Sequence, residues 1–253
     1  MGLFKKEKSL DQASMKEGVG LITLTDPTSV IAEQFRTIRT NIQFSSIDQK
    51  LRSVVFTSAG PLQGKSTVSA NVAVTWADQG VDVLLVDADM RRPTVHQTFQ
   101  VPNKKGLTSL LTEETFDLNS AIQKTPVDHL FVLPCGVVPP NPSELLNTKK
   151  MDKLIAELTK HFDLVIFDTP PVILVTDAQI LASKVDGTIL ITPQGIADKR
   201  SIVKSKELLE VVHARILGTI MNRVKAENTG GYYGGYYGTA ESKQPKILGG
   251  VNK

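Results

Sequence analysis

Cysteine is almost missing from this sequence: Cys135 is the single one in 253 residues. An internal disulfide and a CxxC metal clamp are thereby excluded, which fits a reducing compartment. The plain expectation for Cys135 is a small buried residue. Long apolar runs are missing too. The longest, such as 83–86 and 164–167, have strand length and fall far short of the ~20 residues of a membrane helix. No signal-peptide stretch follows Met1, and the acylation-like start at Gly2 has Lys6 where Ser or Thr is required. The expectation is a cytoplasmic chain with Lys5, Lys6 and Lys8 on a solvated arm. Net charge is also small, since 29 basic against 26 acidic residues leave +3. That is too little for a nucleic-acid footprint, and no nucleic-acid partner is expected. Aromatics make up 6%, and all four tyrosines lie between positions 232 and 237.

What the sequence does have is a repeating alternation. Aliphatic and β-branched runs at 53–57, 81–86, 130–134, 164–167, 188–192 and 216–221 are separated mostly by segments of helical length and period. This reads as an α/β fold with a mostly parallel sheet and helices on both faces. Ahead of it, Asp26-Pro27-Thr28-Ser29 supplies turn and cap residues for a helix over 30–44, with apolar positions at 31, 35, 38 and 42. After Lys225 the pattern stops, and 227–238 holds no aliphatic side chain. The organisation expected is an N-terminal arm over 1–28, a domain over 29–225 and a disordered Tyr/Gly-rich tail over 226–253.

The chemistry centres on the run Ser58-Ala59-Gly60-Pro61-Leu62-Gln63-Gly64-Lys65-Ser66-Thr67, between a strand and a helical segment. A loop entering a helix N-terminus offers free backbone N–H groups and the positive dipole end to phosphate oxygens. Gly60, Gln63, Gly64 and Thr67 would cradle the phosphates of ATP, Lys65 would reach the β/γ-phosphates and the Ser66 hydroxyl would ligate Mg²⁺. Ala59 stands where the usual motif has its first glycine. Two further strands end in acids, Asp87-Ala88-Asp89 and Asp168-Thr169-Pro170-Pro171. In a parallel sheet these carboxylates converge on the loop after the first strand, because ligands sit at the carboxyl ends of the strands. Asn222, after the last strand, is a candidate for the adenine edge. The clustered Tyr232, Tyr233, Tyr236 and Tyr237 have no core to join, so their phenols are candidate phosphate acceptors.

These pieces resemble the bacterial tyrosine kinases, a P-loop NTPase-like family. The resemblance rests on Asp87-x-Asp89-x-Arg91 after its hydrophobic run and on Lys65-Ser66-Thr67. It rests also on Pro142-Ser143-Glu144-Leu145-Leu146, Asp168-Thr169-Pro170-Pro171, Asp177-Ala178, Glu33-x-x-Arg36-x-x-Arg39 and the tyrosine cluster. The likeness implies an ATP- and Mg²⁺-dependent autokinase with Asp87 as proton acceptor and Asp87, Asp89 and Asp168 at the metal. It further implies a homo-oligomeric ring joined through Glu33, Arg36 and Arg39, whose subunits phosphorylate one another's tails. Capsule or exopolysaccharide export is the process implied. The implied partners are a separate transmembrane modulator of the polysaccharide co-polymerase type, which recruits the kinase to the inner face of the membrane, and a cognate phosphotyrosine phosphatase.

Two other readings compete. A partition or septum-site ATPase switch has a related sheet, but its signature places a lysine where Gly60 stands, and such chains usually end in a basic or amphipathic helix. A nucleotide sensor without catalysis would use the same residues.

Overall fold

The computed structural model describes residues 16–46, 50–114 and 117–224. The lysine-bearing start of the arm and the tail expected over 226–253, with its four tyrosines, lie outside the described residues.

Among the described residues seven strands form one sheet: β1 (Ser53–Ser58), β2 (Val83–Asp87), β3 (Gln123–Lys124), β4 (Leu130–Leu133), β5 (Leu164–Asp168), β6 (Gly187–Pro193) and β7 (Ile216–Asn222). Their order is β3-β4-β2-β5-β1-β6-β7. Every pairing is parallel except that of β3 with β4. The six expected strands are present, with ends shifted by one or two residues. The two-residue β3 was not anticipated, because so short an antiparallel edge leaves no periodic trace.

The central strands are buried on both faces, and alternate side chains feed two cores. Val54, Phe56, Leu85 and Ile166 enter one core, and Val55, Leu84, Val165 and Phe167 the other. Helices α1 (Ile22–Thr25), α2 (Val30–Phe44), α3 (Lys65–Ala77) and α4 (Val95–Thr98) lie with the first core. Helices α5 (Leu107–Thr112), α6 (Leu118–Ala121), α7 (Pro142–Leu146) and α8 (Lys149–His161) cover the second. The last two, α9 (Asp177–Ala182) and α10 (Lys199–Val211), meet in a small cluster around Ala178, Ala182 and Leu209.

Helix α2 begins and ends where its sequence placed it, and the Ser29 hydroxyl caps it by accepting from the Ala32 N–H. Its inward stripe is rotated from the expected one. Ala32 is fully buried, while Ile31 is 53% exposed. Positions 32, 35, 39 and 42 follow 3-4-3 spacing and share the inward side. Arg39 is therefore drawn inward, and its Nη1 donates to the Thr75 carbonyl of α3 at 2.7 Å. The expected common face of Glu33, Arg36 and Arg39 is divided: Glu33 and Arg36 pair at 2.7 Å on the exposed side, and Arg39 binds its own domain.

The arm boundary also moves. From residue 18 the chain is packed on the domain, with the Val19 N–H donating to Thr98 Oγ1. The buried Asn71 receives the Thr23 N–H and hydroxyl and donates to the Gly20 carbonyl. A buried amide left without such partners would cost about 1–3 kcal/mol, so this segment is held as structure and only its earlier residues remain as the candidate arm.

Candidate active site

Strand β1 delivers the chain into the loop 59–64, and α3 starts directly at Lys65. Lys65 therefore opens the helix instead of lying on the loop. Two residues make the turn with left-handed backbone, Leu62 at φ 60° and Gly64 at φ 85°. Glycine adopts that region freely. A leucine there holds strain of about 1–3 kcal/mol, which a fixed functional loop can sustain. Gly64 is required for a second reason: a Cβ there would come within 2.2 Å of Asn222 Nδ2. That amide donates to the Gln63 carbonyl at 3.2 Å, tying the end of β7 to the loop. Gln63 is buried beneath, and the Ser58 hydroxyl donates to the Gly60 carbonyl. Ser66 and Thr67 are half-buried in the first helical turn.

The acids arrive from the two strands between β4 and β1. Asp87 and Asp168 end β2 and β5 and stand opposite one another in the ladder. Both are fully buried. Asp87 Oδ2 accepts the Thr94 and Val95 N–H groups at 3.0 and 2.9 Å, while its Oδ1 has no hydrogen-bond partner among the described residues. Burial first, and the neighbouring Asp168 second, push the Asp87 carboxyl well above the usual range. Burial likewise carries Asp168 up to about 6, opposed by Lys65. The Ser66 and Ser69 hydroxyls are near enough to favour its charged form, yet neither of its oxygens completes a well-formed hydrogen bond.

Lys65 is the cation of this cluster, its Nζ 3.2 Å from Asp89 Oδ2. Burial works against the ammonium, but Asp89, Asp168 and Asp87 outweigh it and its pKa ends above the ordinary value. Asp89 is also fixed from behind by the Arg92 N–H at 3.1 Å. Arg91, the last residue of the Asp87-x-Asp89-x-Arg91 motif, forms a two-pronged pair with the fully buried Asp177, at 3.0 and 3.1 Å. Sequence reasoning placed Asp177 in a motif without seeing this role. Nor did it foresee Ser69, or the backbone of α4 as an anchor for Asp87. Cys135 is buried as expected, and burial pushes its thiol up to about 12, which makes it inert at neutral pH.

The donor set suits a hard divalent cation of the Mg²⁺ kind: buried carboxylate oxygens of Asp87 and Asp168 without partners, and the Ser66 hydroxyl beside them. Among the described residues no group of three or more His, Cys, Asp or Glu is arranged as a ready-made metal cage. Mg²⁺ rarely needs one, because it takes one or two protein carboxylates plus phosphate oxygens and water.

The loop that enters α3, the strand-end acids and the sheet order together define a P-loop nucleotide-binding protein, and residues 60–213 match the family described as AAA domain. Over 226 residues the chain is 46% identical to tyrosine-protein kinase YwqD of Bacillus subtilis (strain 168), spanning 89% of this chain and 94% of that one. The kinase domain of the Escherichia coli tyrosine kinase ETK superposes with a TM-score of 0.79 at 33% identity, over 86% of this chain and 85% of that one. The chain thus belongs to the bacterial tyrosine kinases, and its activity is protein-tyrosine phosphorylation. The cell division ATPase MinD of Pyrococcus furiosus shares the sheet more distantly, with a TM-score of 0.58 at 27% identity over 67% of this chain and 71% of that one.

The Asn222 strap carries its own prediction. Asn222→Ala removes one hydrogen bond to the loop and is expected to weaken ADP binding roughly 3- to 10-fold. Titration calorimetry with ADP and GDP separates the two roles of Asn222. An equal loss for both nucleotides marks a strap, and a loss confined to ADP marks an adenine contact.

Proposed function

We propose that this kinase uses ATP and Mg²⁺ to phosphorylate Tyr232, Tyr233, Tyr236 and Tyr237 on the tail of a neighbouring subunit, under the control of a membrane modulator in capsule or exopolysaccharide export. The observation that carries the chemistry is the convergence of Lys65, Asp89, Asp87 and Asp168 at the mouth of the phosphate loop. Phosphoryl transfer asks a protein mainly to position groups and neutralise charge. The loop 59–64 and the start of α3 would hold the phosphates, and Lys65 would turn from Asp89 towards them. Ser66, Asp87, Asp89 and Asp168 would hold Mg²⁺, which offsets charge on the phosphate oxygens when bound. A tyrosine oxygen then bonds to the γ-phosphorus as the bond to the β–γ bridging oxygen breaks, and ADP leaves. The phenolic proton, on a group of pKa ~10, needs an acceptor at neutral pH. Asp87 fits through its unpartnered Oδ1 and upward-shifted carboxyl. Pure protein incubated with Mg²⁺ and γ-labelled ATP tests this reading. Label retained on tyrosine supports it; label appearing only as free phosphate fits the septum-site ATPase reading instead, and neither outcome would indicate a nucleotide sensor.

Assembly rests on α2. The exposed Glu33–Arg36 pair by itself contributes only a few tenths of a kcal/mol. Its larger role is proposed as a ring contact that brings each tail to the next site. Replacing Glu33, Arg36 and Arg39 with alanine is expected to give a folded, nucleotide-binding monomer that labels its tail poorly. Light scattering at unchanged oligomeric mass would refute the contact. The Arg39→Ala change alone should instead lower stability, because its bond to Thr75 lies within one chain.

No helix among the described residues is long and apolar enough to cross a membrane. Membrane placement would come from the modulator, whose cytoplasmic end should raise the weak activity of the kinase alone, and a phosphotyrosine phosphatase would reset the tail.

A further inference from the structure

The acceptor poses a recognition problem. From Asn228 to Ala240 the sequence has no charged residue, yet it holds all four tyrosines. Charge cannot select such a segment; what it offers is phenol rings on a glycine-rich backbone. A ring of this kind gains most by burying its apolar faces while its hydroxyl stays on a polar group.

The rim of the site has matching side chains. Val137 and Val138 are 67% and 52% exposed, and Ile173 and Leu174 are 36% and 61% exposed. The first pair follows β4 and the second follows β5, and these are the two strands that flank β2. The acids that end β2 and β5 therefore lie at the same edge of the sheet as both pairs. The helices that follow the two loops, α7 and α9, pack together, which places the loops on one rim. Neither loop is loose. The Pro134 and Cys135 carbonyls accept from Leu107 and Thr108, and Gly136 donates to Asn103. Val172 donates to the Ser58 carbonyl, and its own carbonyl accepts from Gln179. Buried Cys135 and Val172 sit within two residues of side chains held out in solvent, so well-bonded backbone presents aliphatic groups at the sheet edge where the acids end their strands. Such groups would cost nothing to replace with polar ones unless something covers them.

We propose that Val137, Val138, Ile173 and Leu174 form a docking collar for the tyrosine ring of the acceptor tail of a second copy of this chain. This rests on the reading that the tail is the acceptor. The collar takes the faces of the ring and leaves its hydroxyl toward the aspartates, which explains how an uncharged tail is selected and why several adjacent tyrosines can serve in turn. Once phosphorylated, a tyrosine carries roughly −1.5 to −2 charge and is expelled from an apolar collar beside carboxylates, freeing it for the next.

The test uses full-length chains. The donor has its four tail tyrosines replaced by serine, and the acceptor is the Lys65→Met chain, which cannot label itself. Val138→Ser with Leu174→Ser in the donor is expected to raise the KM for the acceptor about ten-fold, as the loss of two aliphatic contacts predicts. ADP affinity should stay unchanged, and Leu174→Met should restore the KM. An acceptor KM within about two-fold of the parent value, or a loss traced by light scattering to a lost oligomer, overturns the collar. If the parent donor labels no tyrosine on the acceptor, the tail-acceptor reading fails and the collar falls with it.

Discussion

Lys65→Met is expected to leave a folded chain whose tyrosine phosphorylation falls by about 10²- to 10³-fold or more, the usual cost of removing one charge-stabilising group from a phosphoryl or acyl transfer site. Methionine keeps much of the apolar stem and stays compatible with the first turn of α3. What it removes is the cation facing Asp89, Asp168 and Asp87. Two consequences should appear together. The γ-phosphate loses its cation, and the three carboxylates lose the charge that balances them, so Asp168 moves further up from about 6. Circular dichroism checks the fold and a filter-bound label assay the transfer. Transfer at the parent rate would remove Lys65 from the site.

Asp168→Asn should show the opposite signs in stability and activity. Asp168 is fully buried with a carboxyl at about 6 against an ordinary 3.8, so the folded protein binds its proton more tightly than the unfolded chain does. Its contribution therefore favours the fold at low pH, declines as pH rises from about 4 to 6, and stays unfavourable above that, by ~3 kcal/mol for a two-unit shift. Asparagine has no charge to bury. In the absence of nucleotide the variant should melt higher than the parent at pH 8, with the gap narrowing toward pH 4, while transfer is lost. Thermal melts at several pH values check this. A variant less stable than the parent at pH 8 would mean that Asp168 supports the fold rather than burdening it.

The sequence carried the sheet because each central strand is an aliphatic run bounded by turn or helical residues, and 83–86 and 164–167 end in acids that mark the ligand edge. It carried the loop despite Ala59, because Lys65-Ser66-Thr67 at a helix start follows a buried strand across one short glycine-bearing loop. What it could not carry is contact between distant segments. Arg91 and Asp177 are 86 positions apart and Asn222 and Gln63 are 159 apart, and no local period encodes either meeting. Helix α2 illustrates the same limit at short range. Two stripes of helical spacing fit its sequence, and only the packing against α3 decides that Ala32 and Arg39 turn inward and Ile31 outward. The segment from residue 18 fell within the expected N-terminal arm, yet the buried Asn71 gives it partners.

Transfer between subunits is tested most directly by mixing two full-length chains that are each silent alone: one with Lys65→Met and an intact tail, the other with a sound site and serine in place of Tyr232, Tyr233, Tyr236 and Tyr237. With Mg²⁺ and ATP, mass spectrometry should find phosphate on the tail tyrosines of the Lys65→Met chain, at a rate that rises with the concentration of the second chain. Phosphate absent from that tail in the mixture, with the unaltered protein still labelling its own tyrosines at a rate per molecule independent of concentration, would contradict it.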